Sequence, residues 1–125
     1  MITIREIWHC SICGNTVEAV FGGKGKLVCC NELMELLEEN TEEAAYEKHI
    51  PVVHDMGDFI KVEVGSEHHP MIDKHYIAFI EVLTKDKVCR HEFKPGDTPV
   101  AEFPVKMADV IGVREYCNLH GLWKA

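Results

Sequence analysis

The residues able to do chemistry fall into two groups. Near the start of the chain, Cys10-Ser11-Ile12-Cys13-Gly14 places two thiols three residues apart, and Cys29-Cys30 adds a vicinal pair. Two thiolates at the first spacing grip one metal ion from a tight turn, with Gly14 relieving backbone crowding. Four thiolates together make a tetrahedral sulfur site, which suits zinc and iron equally, so the ligand set does not separate them. Side chains of adjacent strand residues point to opposite faces, so the backbone has to bend at Cys29-Cys30 for both sulfurs to reach one ion. A redox pair of the thioredoxin kind is disfavoured, because no βαβ pattern surrounds Cys10 and Cys13.

The second group lies further on: His49, His54, His68, His69, His75, His91, Cys117 and His120. A single histidine is more often a surface or core residue than a ligand, but three short segments concentrate them. Glu47-Lys48-His49-Ile50-Pro51 joins a carboxylate, an ammonium and an imidazole. His69-Pro70-Met71 precedes Lys74-His75 by a short loop. Cys117-Asn118-Leu119-His120-Gly121 is a Cys-x-x-His step. Pro51 and Pro70 follow candidate ligands and favour extended backbone before them. Spacing points to a second metal site and leaves its ligand set open.

These residues need a scaffold. Thr16 to Phe21 reads as a strand followed by a glycine-rich turn. The first 34 residues hold too few large apolar side chains for a core, so a metal must supply much of that module's folding free energy. Glu35 to Lys48 is acidic and reads as a solvated linker, with Thr41 capping a short helix from Glu42. Beyond it, Phe59 to Val64 alternates, placing Ile60, Val62 and Val64 on one face. Tyr76 to Leu83, Val88 to Phe93, Val100 to Val105 and Val110 to Tyr116 are further β-type runs. Turn signals stand at Asp55-Met56-Gly57-Asp58, Lys85-Asp86-Lys87 and Lys94-Pro95-Gly96-Asp97. Short strands at this spacing predict an antiparallel β-sandwich.

Composition narrows the function. The 125 residues carry a formal net charge of −8, which argues against a nucleic-acid partner. An anionic substrate would need a cationic group close to its target. No apolar run approaches the roughly 20 residues that span a bilayer. Nor does the start, Met1 to Glu6, read as a signal peptide. The expected address is cytoplasmic, where six cysteines hold metals or stay reduced rather than form disulfides.

Taken in order, Cys10-x-x-Cys13-Gly14-Asn15, Leu27-Val28-Cys29-Cys30, Glu47-Lys48-His49-Ile50-Pro51-Val52, His69-Pro70-Met71, Lys74-His75 and Arg114-Glu115-Tyr116-Cys117-Asn118-Leu119-His120-Gly121 closely resemble desulfoferrodoxin, the two-iron class of superoxide reductase. The resemblance covers essentially the whole chain. It implies a mainly β protein: a desulforedoxin-like module (rubredoxin- or zinc-ribbon-like) over 1–36, and an immunoglobulin-like antiparallel β-sandwich over 37–125. It implies two irons per chain, one on Cys10, Cys13, Cys29 and Cys30, the other on His49, His69, His75, His120 and the axial thiolate of Cys117. Lys48 matches the lysine that attracts superoxide. Glu47 matches the glutamate that closes the sixth position in the oxidised resting state. The implied activity is one-electron reduction of superoxide to hydrogen peroxide, with a rubredoxin-type or similar electron donor, an accessory electron-transfer role for the four-cysteine iron, and a homodimeric assembly. His68, His9, His54 and His91 match no motif position, and Cys89 is expected to be a buried or incidental thiol. The competing expectations are a rubredoxin-like electron carrier, a non-catalytic zinc-binding module and a dismutase.

Overall fold

The computed structural model describes residues 1–42 and 48–125. Among these the chain is built from short β-strands and one 3-10 turn, and it divides into two compact units, Met1–Glu38 and Glu39–Ala125. The helix expected after Thr41 falls on residues outside the described set, as does Glu47.

In the first unit, β1 (Ile7–His9) is the centre of a small antiparallel sheet, flanked by β2 (Thr16–Glu18) and, later in the chain, by Glu35–Leu36. β3 (Val28–Cys29) and β4 (Glu32–Leu33) form a separate hairpin, and Glu35–Leu36 is β5. The strand expected to reach Phe21 ends at Glu18. Beyond it the main chain turns back on the N-terminus, with Ile2 N–H donating to Gly23 C=O at 3.1 Å. Gly22 is needed there, since a Cβ would lie 2.1 Å from the carbonyl oxygen of Ile2. Only Ile7, Cys10 and Met34 are buried apolar residues in this unit, while Val20, Phe21, Val28 and Leu33 stay exposed. Three side chains are far too few to offset the chain entropy of nearly forty residues, so the module depends on a cross-link other than its core.

The second unit opens with β6 (Glu39–Asn40), followed by β7 (Pro51–Asp55), β8 (Ile60–Val64), β9 (Ile77–Thr84), β10 (Val88–Glu92), β11 (Val100–Phe103), β12 (Val110–Cys117) and β13 (Gly121–Lys124). One sheet runs β10-β9-β12-β13-β6 and the other β11-β8-β7. All pairings are antiparallel except β13 with β6. Ile60, Val62 and Val64 of β8 and Phe103 of β11 meet Ile77, Ile80, Val82, Val113 and Cys117 of the opposite sheet in one core. This is the two-layer sandwich that alternation along the strands predicts. Part of the expected acidic linker is structured. Glu39–Asn40 joins the larger sheet, where Glu39 lies 3.7 Å from the buried Arg114 guanidinium and Asn40 Nδ2 donates to Leu122 C=O at 3.0 Å. Arg114 in turn donates to the fully buried Glu81 at 2.8 Å, so an acid in a polar run is drawn to a cation that the run itself does not reveal.

Candidate functional site

In the first unit, Cys10 and Cys13 come from the turn after β1, and Cys29 and Cys30 from the β3-β4 hairpin. Their four sulfurs lie within 4.8 Å of one another. The required bend is visible. Cys29 pairs with Glu32, so Cys30-Asn31 is a two-residue hairpin loop, and both residues are left-handed, at φ 53° and 66°. Two such residues in succession make a type I′ turn, which swings the second sulfur back toward the first. Glycine and asparagine usually fill such turns; a cysteine there costs roughly 1 kcal/mol of backbone strain.

The sulfurs are set for ligation. Cys13 and Cys29 stand 3.6 Å apart, Cys29 and Cys30 4.0 Å apart, and the Cys13 N–H and Asn15 N–H point at the sulfurs of Cys10 and Cys13, both at 3.5 Å. The N–H of Cys13 holds the Cys10 thiol down to about 7. Sharing a proton with Cys13 pushes Cys29 up and Cys30 up to about 12. Without a cation the cluster cannot ionise fully, since close thiolates repel. A bound metal ion removes that conflict, so the donor set fits a four-thiolate metal site.

In the second unit the ligand candidates converge at one end of the sandwich. The register fixes this. Pro51, which follows His49 by two residues, pairs with Val64, which precedes the 65–76 loop carrying His69 and His75. Cys117 pairs with both Ile77 and Gly121, so the end of β12, the start of β9 and the start of β13 coincide. Cys117 precedes, and His120 ends, a three-residue hairpin loop (118–120) closed by Gly121 at φ 86°, the left-handed position that such loops need. His75 leaves a two-residue turn whose ends are locked by reciprocal Ile72–His75 backbone bonds, both 3.0 Å.

The donor atoms of His49, His69, His75, Cys117 and His120 lie within 4.8 Å of one another. Around the group, successive ring centroids are 4.7 Å (His69–His49), 4.9 Å (His49–His120), 5.0 Å (His120–His75) and 4.6 Å (His75–His69), each pair edge-on at 61–86°. The imidazoles therefore stand at the corners of a closed four-membered ring. His49 Nε2 is 3.1 Å from both His69 Nε2 and His120 Nδ1. Two nitrogens held about 2.1 Å from one ion at right angles would be about 3 Å apart, so this spacing fits a shared metal. Hydrogen bonding alone does not account for it, since a ring nitrogen offers one proton or one lone pair, not both. His69 Nδ1 lies 2.8 Å from the Pro70 carbonyl, which can only accept. That nitrogen therefore carries the proton and Nε2 keeps its lone pair for a metal, the usual second partner of a ligating histidine. Cys117 Sγ sits 3.5 Å from His69 Nε2 and 3.9 Å from His120 Nδ1, fully buried beneath the ring. His49 and His69 are buried, His75 half-buried and His120 exposed, so the group reaches solvent on the His120 side.

Lys48 is exposed beside buried His49. Its main chain passes close over Gly65 (φ 80°), where a Cβ would meet the Lys48 carbonyl oxygen at 2.5 Å. The remaining histidines lie elsewhere. His68 and His54 bond to opposite oxygens of Glu63 at 3.0 and 3.1 Å, and these contacts hold the Glu63 carboxyl below its ordinary range. His9 bonds to Thr16 at 2.9 Å, and His91 leans on Phe93. Cys89 is half-buried against the core of the sandwich. Sequence reasoning did not find Trp123, whose indole stacks on His49, or Met71, whose sulfur accepts the Ile77 N–H at 3.3 Å and whose carbonyl accepts the Gly96 N–H at 2.7 Å. Met71 follows His69-Pro70 with nothing local to mark its own contacts, and Trp123 stands alone near the C-terminus, with no spacing to the ligands that would mark it.

Comparison with known proteins covers both units. Residues 3–37 match the model of the desulfoferrodoxin N-terminal domain, and residues 41–125 that of desulfoferrodoxin. A desulfoferrodoxin homolog of Methanothermobacter thermautotrophicus is 50% identical, over 98% of this chain and 99% of its own. The desulfoferrodoxin of Nitratidesulfovibrio vulgaris is also 50% identical, over 96% of this chain and 94% of its own. Among solved structures, the superoxide reductase of Treponema pallidum superposes with a TM-score of 0.79 at 28% identity, covering 96% of both chains. Similarity running through both units, and through both clusters of metal donors, places this chain in the desulfoferrodoxin family.

Proposed function

We propose that this chain is a superoxide reductase holding two irons, one on the four cysteines of the first unit and one on the four histidines and Cys117 of the second. The observation that carries this is the ring of four imidazoles over one buried thiolate, open to solvent at His120. The overall reaction consumes one superoxide, one electron and two protons and yields one hydrogen peroxide. When bound, ferrous iron in this donor set supplies one-electron transfer to a small anion reaching its open side, with the thiolate adding electron density.

The chain's own residues do the rest. The imidazoles are neutral donors, and His69 is held in the ligating tautomer by Pro70. Burial of Cys117 keeps its sulfur from water and oxidants. Exposure on the His120 side admits both the anion and the solvent protons that leave with peroxide. Lys48 is the residue we assign to drawing superoxide in. The net charge of −8 repels anions, but beyond a Debye length of about 10 Å that repulsion is screened, whereas the charge on Lys48, the residue before His49, acts within that range of the site. Glu47, outside the described residues, is assigned to covering the open side in the oxidised state.

The four-cysteine iron is the accessory electron-transfer site. We assign the donor to the rubredoxin type, the compartment to the cytoplasm, the role to detoxification of superoxide, and the two functions to the modules 1–36 and 37–125. None of the helices among the described residues is long and apolar enough to cross a membrane. A homodimer is the assembly we assign, and Val20, Phe21, Val28 and Leu33 are exposed apolar side chains of the first unit that such an assembly could cover.

The test is superoxide generated in a pulse, with iron content, peroxide and dioxygen measured together. One peroxide per superoxide with consumption of an external electron is the expected result. Half that yield with evolution of dioxygen would make the protein a dismutase. No reaction from iron-loaded protein would leave an electron carrier, and colourless zinc-containing protein a structural module.

A further inference from the structure

We propose that Asn118 is a positioning residue that fixes the His75 ligand relative to Cys117 and His120. The inference rests on reading His75 as a ligand of the reactive iron.

His75 is held from both edges of its backbone. Its own N–H and C=O are taken by Ile72, both at 3.0 Å. The groups that face the other way are the Lys74 carbonyl and the Tyr76 N–H, and Asn118 takes both. Its Oδ1 accepts from Tyr76 N–H at 2.9 Å and its Nδ2 donates to Lys74 C=O at 3.1 Å. Because the Tyr76 partner can only donate and the Lys74 partner can only accept, the amide has one orientation. The main-chain N–H of Asn118 adds a bond to the Tyr76 carbonyl at 3.2 Å.

The regular ladder between β12 and β9 ends at Cys117–Ile77, after an irregularity at Tyr116. A side-chain amide offers an acceptor and a donor in one plane, as a peptide group does. Asn118 therefore continues the ladder by one further pair with its side chain instead of its main chain. It follows Cys117 directly and precedes His120 by two residues, so a single residue ties three of the five donors into one unit. Rigid support of ligands from outside the metal's own shell commonly changes metal affinity 10- to 100-fold.

A simpler role exists: asparagine favours tight loops, and Asn118 opens the 118–120 loop. Asn118→Asp separates the two. Aspartate also suits the turn and keeps the acceptor for Tyr76, but it cannot donate to Lys74 and would set a carboxylate against that carbonyl. Its added negative charge, by itself, would slow loss of a cation.

The experiment uses the full chain loaded with iron at both sites. The readouts are the rate of iron transfer from the histidine site to a ferrous chelator and the ferric electron paramagnetic resonance signal of that site, with absorption of the four-cysteine iron as internal control. We expect Asn118→Ala to lose iron from the histidine site about 10- to 100-fold faster. Asn118→Asp should also lose it faster despite its charge, both with a split or broadened ferric signal and an unchanged four-cysteine spectrum. Wild-type release and signal in Asn118→Asp would overturn the proposal, whether or not Asn118→Ala folds. Neither readout involves superoxide, so iron-loaded wild-type protein that makes no peroxide would defeat the functional reading and leave this test standing.

Discussion

The indole of Trp123 lies flat on the imidazole of His49, with centroids 4.5 Å apart and planes 14° from parallel, while its Nε1 donates to the His120 carbonyl at 3.1 Å. One buried side chain thus braces two neighbouring ligands, one by stacking and one by hydrogen bonding. Trp123→Phe keeps a stacking face and loses the bond. It should cost about 1 kcal/mol in denaturant unfolding. Trp123→Ala should cost about 3–5 kcal/mol and loosen iron retention, since His49 then borders a cavity. Equal unfolding midpoints for wild type and both variants would show that the brace contributes nothing.

Lys48 makes a prediction about rate rather than stability. Lys48→Ala should slow the association of superoxide about 10-fold at low ionic strength, within the range that local steering supplies. The effect should shrink as salt is added, and iron content should not change, because the exposed ammonium contributes no ligand. Lys48→Arg should keep most of the wild-type rate. Pulse radiolysis across a salt series measures this directly, and an unchanged rate for Lys48→Ala at low salt would remove Lys48 from the mechanism.

Gly65 controls where Lys48 sits. At φ 80° a side chain costs about 1 kcal/mol in backbone strain alone. In Gly65→Ala the new Cβ would also lie 2.5 Å from the Lys48 carbonyl oxygen and 2.6 Å from that of Glu67. Both contacts are main chain, so the segment must move. Gly65→Ala should be less stable than wild type by more than the strain term and should share the slow association of Lys48→Ala. A destabilised variant with wild-type association would separate the two effects and refute the link.

The four-cysteine site should bind metal more weakly as pH falls. Cys29 and Cys30 are raised above the ordinary thiol value, Cys30 to about 12, so at neutral pH both are protonated in the metal-free module and must release those protons on binding. Each proton released makes affinity fall about tenfold per pH unit, so this pair alone makes it at least about 100-fold. Cys10, lowered to about 7, adds a further proton only below that pH. Because the first unit buries only three apolar residues, its unfolding should follow metal loss. Competition with a chelator between pH 6 and 8, followed by circular dichroism, measures both. Affinity independent of pH would contradict the protonation of the pair.

Much of this was legible in the chain itself. Alternation at Ile60, Val62 and Val64 marked the buried face of a strand because side-chain direction in a strand depends only on parity. The Cys-x-x-Cys and Cys-x-x-His-Gly steps marked donors because a tight turn imposes short spacing between groups that share an ion. The vicinal cysteines required a bend, and the left-handed Cys30-Asn31 turn supplies it. Local rules of this kind operate within a few residues, which is why the pairing of Glu39 with β13 escaped them: its partner, Leu122, lies far along the chain.

Residue order alone therefore determined the donor types, their local spacing and the strands that carry them. The tertiary structure decided how the four histidines that the resemblance implies come to share one centre, since His49 and His120 are separated by 71 positions and meet through the register of two sheets. It also decided that His68, next to a ligand, turns to Glu63, and that Trp123 and Asn118 support the ring. The physical reason is that convergence on an ion is a condition on distances between chain segments. Those distances are set by sheet packing, which no local pattern encodes.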